Sequence, residues 1–101
     1  MKYFFYKLNP PRPTFPADIT PDEGKLMQAH SAYWSEQMTK GRVVAIGPVA
    51  DPKGTYGVGL IRLKDDADPS FLVANDPAIL AKAGFTTEVY PMPRLMVAAP
   101  Q

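Results

Sequence analysis

Residues 20–41, TPDEGKLMQAHSAYWSEQMTKG, read as the longest helix of the chain, and its place between strands decides the fold. Thr20 suits the N-cap, Pro21 suits the first helical position, and Glu23 completes a Thr-x-x-Glu capping box. Asp22 and Glu23 sit where the helix dipole favours negative charge. Gly41 suits a left-handed residue that closes the helix, with Lys40 in its last turn. Leu26, Met27, His30, Tyr33, Trp34, Gln37 and Met38 recur at helical spacing and form one inward stripe. Lys25, Gln28, Glu36 and Lys40 fall on the solvated side. His30 is the one histidine of the sequence, and it lies on the inward stripe.

Before the helix, residues 2–8, KYFFYKL, are dominated by aromatics and read as a strand. Phe4, Tyr6 and Leu8 point one way and Tyr3 and Phe5 the other, so both faces are largely apolar. Residues 9–19 hold Pro10, Pro11, Pro13 and Pro16, which exclude a helix or a central strand. This long loop is read as a stiff connector packed over the helix start. The competing reading is a lid, whose working residue would be Phe15. After the helix, residues 42–49, RVVAIGPV, read as a second strand that ends or bulges at Gly47-Pro48. Residues 50–55, ADPKGT, form a turn with Asp51 as its turn former. Residues 56–63, YGVGLIRL, read as a third strand. Tyr56, Val58, Leu60 and Arg62 share one face; Gly57, Gly59, Ile61 and Leu63 share the other. The two glycines leave room for a closely packed helix or for a ligand, and close helix packing is the preferred reading.

Asp68 and Pro69 suit the cap and first position of a second helix, which should break at Asp76-Pro77. Residues 78–82 give another helical turn ending at Gly84. Residues 85–92, FTTEVYPM, read as the last strand, at an edge or bulged because of Pro91. An apolar tail, residues 94–99, follows and is read as free to pair with another strand or chain. The order β-α-β-β-α-β is that of an α+β, ferredoxin-like fold: one domain over residues 1–101, with a four-stranded antiparallel sheet and two helices on one face. The first and third strands are expected to be central. The other sheet face would then expose a large apolar patch, which soluble monomers rarely tolerate. A homodimer that packs two sheets face to face would cover it.

Bulk properties narrow the function classes. A chain of 101 residues with 46% apolar content is a single ordinary globular domain. It has no cysteine, which excludes disulfides and thiolate metal sites and fits a reducing cytoplasm. With one histidine, no metal and no other cofactor is expected. The net charge is +1 with both signs interspersed, so no nucleic-acid footprint is present. The apolar run near the N-terminus is too short for a signal peptide or a membrane span.

The order and spacing of these features resemble the YCII-related family of small dimeric α+β barrel proteins. The resemblance runs over nearly the whole chain. It rests on the aromatic first strand, His30 in the first helix, Gly41 before a strand with Gly47-Pro48, the Asp51 turn, and Asp76-Pro77 followed by Ala83-Gly84. It departs at Ala78 and Ile79, where the family pattern has a bulky or aromatic residue and a valine, and in its proline-rich loop. The resemblance implies a homodimer and an active site in which a helix histidine works with an aspartate. Those positions are His30 and Asp76 here. Some relatives are similar to dehydrochlorinases of chlorinated hydroxyquinols.

Two function classes follow. In the first, a cofactor-independent enzyme uses His30, oriented by Asp76, to move a proton on a small aromatic or enolic substrate, as a lyase, dehydrochlorinase or isomerase would. Tyr33, Trp34, Gly47, Pro48, Phe15 and Asp51 are the candidate substrate contacts, and Asp51 is the rival partner of His30. In the second, the chain is a non-catalytic dimeric ligand-binding or interaction module whose His–Asp contact is structural. A cofactor-free oxygenase or haem-binding relative is a third, lesser reading. Ser31 follows His30 directly, about 100° round the helix, and is not expected to meet the imidazole. There is no Gly-x-Ser-x-Gly elbow and no phosphate loop.

Overall fold

The computed structural model describes residues 1–99; residues 100–101 lie outside the described residues. Seven elements follow in order: β1 (Lys2–Asn9), α1 (Pro21–Thr39), β2 (Val43–Val49), β3 (Tyr56–Leu63), α2 (Ser70–Ala74), α3 (Pro77–Leu80) and β4 (Thr86–Met92). The strands form one antiparallel sheet in the order β2-β3-β1-β4, with β3 and β1 central. This α+β arrangement is compatible with a ferredoxin-like fold.

The ends of α1 are set by local chemistry. The Thr20 hydroxyl accepts from the Glu23 amide, and the Glu23 carboxylate accepts from the Thr20 amide. Gly41 follows the helix at a φ of 78°, a left-handed conformation that glycine adopts without Cβ strain. The second helical region breaks where proline dictates. Asp68 accepts from the Ser70 amide ahead of α2, and Asp76 caps α3 with Pro77 at its first position.

Pairing register fixes which side chains meet the helices. Tyr6 lies opposite Gly59 and Val89, and Leu8 opposite Gly57. Tyr6, Leu8, Val43, Ile61 and Leu63 are buried with Trp34 of α1, Leu72 and Val73 of α2, Ala78 of α3, Phe15 and Phe85. The other sheet face carries Tyr3, Phe5, Val58, Leu60 and Tyr90, with Phe5 stacked on Tyr90 at 6.4 Å between ring centroids.

Three details differ from the sequence reading. The irregularity in β2 falls at Val44, between Val43 and Ala45, and not at Gly47-Pro48. The strand runs on through Pro48 because β2 is an edge strand, where a missing N–H costs no ladder bond. The space left by Gly57 and Gly59 is not taken by a closely packed helix. A Cβ at Gly59 would meet the Tyr6 ring at 3.3 Å, and one at Gly57 would meet Leu8 Cβ at 3.3 Å. Met38, placed on the inward stripe, is 40% exposed near the end of α1.

The 9–19 loop is held against the helix start. The Arg12 guanidinium donates to both carboxylate oxygens of Glu23 at 2.7 Å, and to Asp18 at 2.9 Å. Hydrogen bonding from Arg12, then from the Thr20 amide, holds the Glu23 carboxyl down to about 2. The loop also drives Phe15 into the core, edge-on to Phe85 at 5.4 Å. Loss of the capping hydroxyl should therefore be felt at the whole helix start. Thr20→Ala is expected to cost about 1 kcal/mol, a fall in Tm of roughly 4–8 °C in a thermal melt followed by circular dichroism.

Candidate functional site

The site forms where α1 and α3 meet over β1. Asp76 is fully buried, and donors from three elements converge on its carboxylate. The Ala78 amide of α3 donates to Oδ1 at 2.9 Å. Trp34 Nε1–H of α1 donates to Oδ2 at 2.7 Å, and the Tyr6 hydroxyl of β1 donates to Oδ2 at 3.3 Å. His30 Nδ1 lies 2.7 Å from the same Oδ2. Local sequence explains the convergence. His30 and Trp34 are four residues apart and so share one face of α1. Asp76 must leave the helical conformation because a proline follows, and its φ of −61° and ψ of 128° aim the carboxylate back as a cap.

Electrostatics fix the state of the pair. Burial pushes the Asp76 carboxyl up, but hydrogen bonds from His30, Trp34 and the Ala78 amide outweigh it and hold the group below its ordinary range. Asp76 is therefore a carboxylate at neutral pH, an acceptor only. His30 Nδ1 must then carry the hydrogen of this contact, and in the neutral ring the lone pair sits on Nε2. The Tyr6 hydroxyl is pushed up by burial, then by the Asp76 charge, and stays protonated. Burial and then Asp76 also raise Tyr33.

His30 fronts a cavity of about 570 Å³ between α1, the 9–19 loop and the β2–β3 end of the sheet. Its side chain is 16% exposed, and Nε2 makes no hydrogen bond to the described residues. Tyr6, Leu8, Phe15, Trp34 and Phe85 form the buried wall, and Ile46 and Gly57 close the sheet side. Ser31, Ser35 and Met38 of α1 and Pro48 of β2 are among its exposed lining residues, and Thr55 is half-buried. The volume lies within the usual range for small-molecule sites. A second hollow, of about 610 Å³, lies against the start of β1 and contains no histidine.

The candidate residues separate on this geometry. His30, Trp34, Gly47, Pro48 and Phe15 all line the cavity, and Asp76 lies directly behind His30. Tyr33 does not line it. Its ring packs edge-on to Trp34 at 5.4 Å, and its hydroxyl donates to the Leu72 carbonyl at 2.6 Å, which ties α1 to α2. Asp51 does not line it either and makes no contact with His30. Its carboxylate accepts from the Lys53 amide within its own turn. Ser31 lines the cavity but makes no hydrogen bond to His30. Tyr6 was not foreseen as part of the site. The available signal was a phenol on the inward face of β1, since a buried hydroxyl needs a partner. Trp34, read as mostly core, has the same double role.

No protein-family model matches the chain, and no curated protein matches it. Among the described residues, no group of three or more His, Cys, Asp and Glu side chains is placed to hold a metal ion. No helix among them is long and apolar enough to cross a membrane.

The buried carboxylate makes a thermodynamic prediction. Asp76→Asn keeps the shape but leaves one oxygen for several donors, at a cost of roughly 3 kcal/mol. The folded carboxyl sits below its unfolded value of roughly 3.9. Its stabilisation should be complete above that value and fade as pH falls through the folded one. Urea denaturation between acid and neutral pH should show this slope in the wild type. The slope should shrink in Asp76→Asn.

Proposed function

We propose that the protein is a cofactor-independent proton-transfer enzyme in which His30 Nε2 is the general base and acid and Asp76 is its positioning residue. One observation carries the reading: an imidazole held through Nδ1 by a buried carboxylate at 2.7 Å fronts a cavity large enough for a small substrate. A neutral ring so held can take a proton from a substrate carbon or oxygen. The imidazolium that forms is stabilised by the carboxylate behind it. Returning the proton at another atom completes an isomerisation. In a dehydrochlorination, the proton goes to Nε2 as the C=C bond forms, and chloride leaves with the C–Cl bonding pair. The resemblance to the YCII-related family agrees with this reading, and a cytoplasmic setting fits the lack of cysteine.

The homodimer belongs to the same proposal. Tyr3, Phe5, Leu60 and Tyr90 lie on the sheet face that no helix covers, and Tyr90 is 52% exposed. A second copy packed sheet to sheet would bury them. Light scattering after size exclusion should then give a dimer at micromolar concentration, and Tyr90→Lys should weaken it towards monomer. A wild-type monomer would overturn the dimer without touching the site.

One observation favours a second reading, a binding module without chemistry. Asp76 is saturated by donors from three elements, and stability alone would account for it. Catalysis separates the two. The assay is deuterium incorporation from D2O at the α-carbon of 2-tetralone, an uncharged enolisable ketone. The wild type is expected to exceed the buffer rate, and His30→Gln should lose about 10²-fold or more of that excess. Asp76→Asn should lower kcat with KM little changed. An excess rate that survives His30→Gln would overturn the proposal, and no excess at all would favour the binding module.

A further inference from the structure

We propose that the cavity selects an uncharged, largely apolar ligand carrying one weakly acidic X–H group for His30 Nε2, and discriminates against anions of the same shape. The inference rests on the cavity reading above and narrows it to a chemical class. Among the side chains that line the cavity there is no lysine, arginine, aspartate or glutamate. The cationic candidate closest to hand is His30, and Asp76 already balances its charge when the ring is protonated. Arg12, at the base of the neighbouring loop, is committed to Glu23 and Asp18. Lys7, 4.5 Å over the ring of the lining residue Tyr56, is outside the lining itself and has Glu88 at 4.0 Å. A ligand carboxylate or phosphate placed against Phe15, Trp34, Met27 and Phe85 would thus lose water and gain no countercharge.

Hydrogen bonding narrows the ligand further. With Nδ1–H committed to Asp76, Nε2 of the neutral ring is an acceptor. It is the side-chain acceptor beside the apolar wall, so it favours a ligand with an N–H, O–H or activated C–H. Trp34 and Tyr6 line the cavity too, but their polar hydrogens are spent on Asp76 and cannot serve a ligand oxygen. The hydroxyls of Ser31 and Ser35 lie on exposed residues of α1, so polar atoms of a ligand would point outward. The site thus presents an apolar wall with the imidazole acceptor beside it, and its hydroxyls lie on α1 (Ser31, Ser35) and at the start of β3 (Thr55, Tyr56).

Three probes of nearly one shape test this: indole, 1-methylindole and indole-3-carboxylate. Binding is followed at neutral pH by NMR, on the side-chain Nε1–H resonance of Trp34, the chain's one tryptophan. Indole is expected to bind at least about tenfold more tightly than indole-3-carboxylate. It should also bind more tightly than 1-methylindole, which lacks the N–H. Ser35→Lys, at an exposed lining position, should narrow or reverse the preference against the carboxylate. Ile46→Trp, which fills the sheet side of the cavity, should weaken all three probes. Equal or tighter binding of the carboxylate to the wild type would overturn the selectivity while leaving the cavity as a site. Binding of no probe, or binding that is unmoved by Ile46→Trp, would overturn the cavity reading itself and this inference with it.

Discussion

A single buried carboxylate holds the helical layer to the sheet. Asp76 has no exposed surface, yet it accepts from β1 through Tyr6, from α1 through Trp34 and from α3 through Ala78, and it meets His30 on α1. An ion in that position is tolerable only because each contact faces it with a hydrogen. No buried side-chain nitrogen or oxygen among the described residues lacks a partner. The same arrangement that stabilises the ion also dictates the imidazole. An acceptor-only partner on Nδ1 leaves Nε2 as the ring's free nitrogen, and the packing of α1 turns that ring towards the cavity.

Gly57 of β3 belongs to the sheet side of the cavity. Gly57 and Gly59 place no side chain on the helix-facing surface of β3. Tyr6 and Leu8 from the neighbouring strand lean over the gap, so the glycines accommodate cross-strand side chains and not a helix. The proline-rich loop then supplies the remaining wall through Phe15. Arg12 fixes that loop by a bidentate pair to a residue of the capping box, so the helix start and the cavity wall share one anchor. The loop is thus a packed connector that also supplies an aromatic wall through Phe15.

Much of this is legible in the sequence. Thr20, Pro21, Glu23 and Gly41 mark the long helix because capping chemistry is local, and Asp76-Pro77 marks the break for the same reason. Strand faces followed from alternation in β1 and β3. The pairing of His30 with Asp76 came from the family resemblance, with Asp51 as the rival; an inward histidine and a helix break beside one sheet agree with it. What was not legible depended on distances between layers. Nothing local says that Tyr33 bonds the Leu72 carbonyl across to α2, away from the cavity, or that Tyr6 reaches Asp76. The β2 irregularity at Val44 was hidden because Pro48, the residue that usually signals one, costs nothing on an edge strand.

The carboxylate of Asp76 commits Nδ1 of His30 and leaves Nε2 as the acceptor in the cavity. The tautomer of the neutral ring tests it most directly, read from two-bond proton–nitrogen correlations of the chain's one histidine. The account predicts a protonated, pyrrole-type Nδ1 and an unprotonated, pyridine-type Nε2 in the wild type, with that preference lost in Asp76→Asn. A neutral ring protonated at Nε2 in the wild type, or a tautomer indifferent to Asp76→Asn, would contradict it.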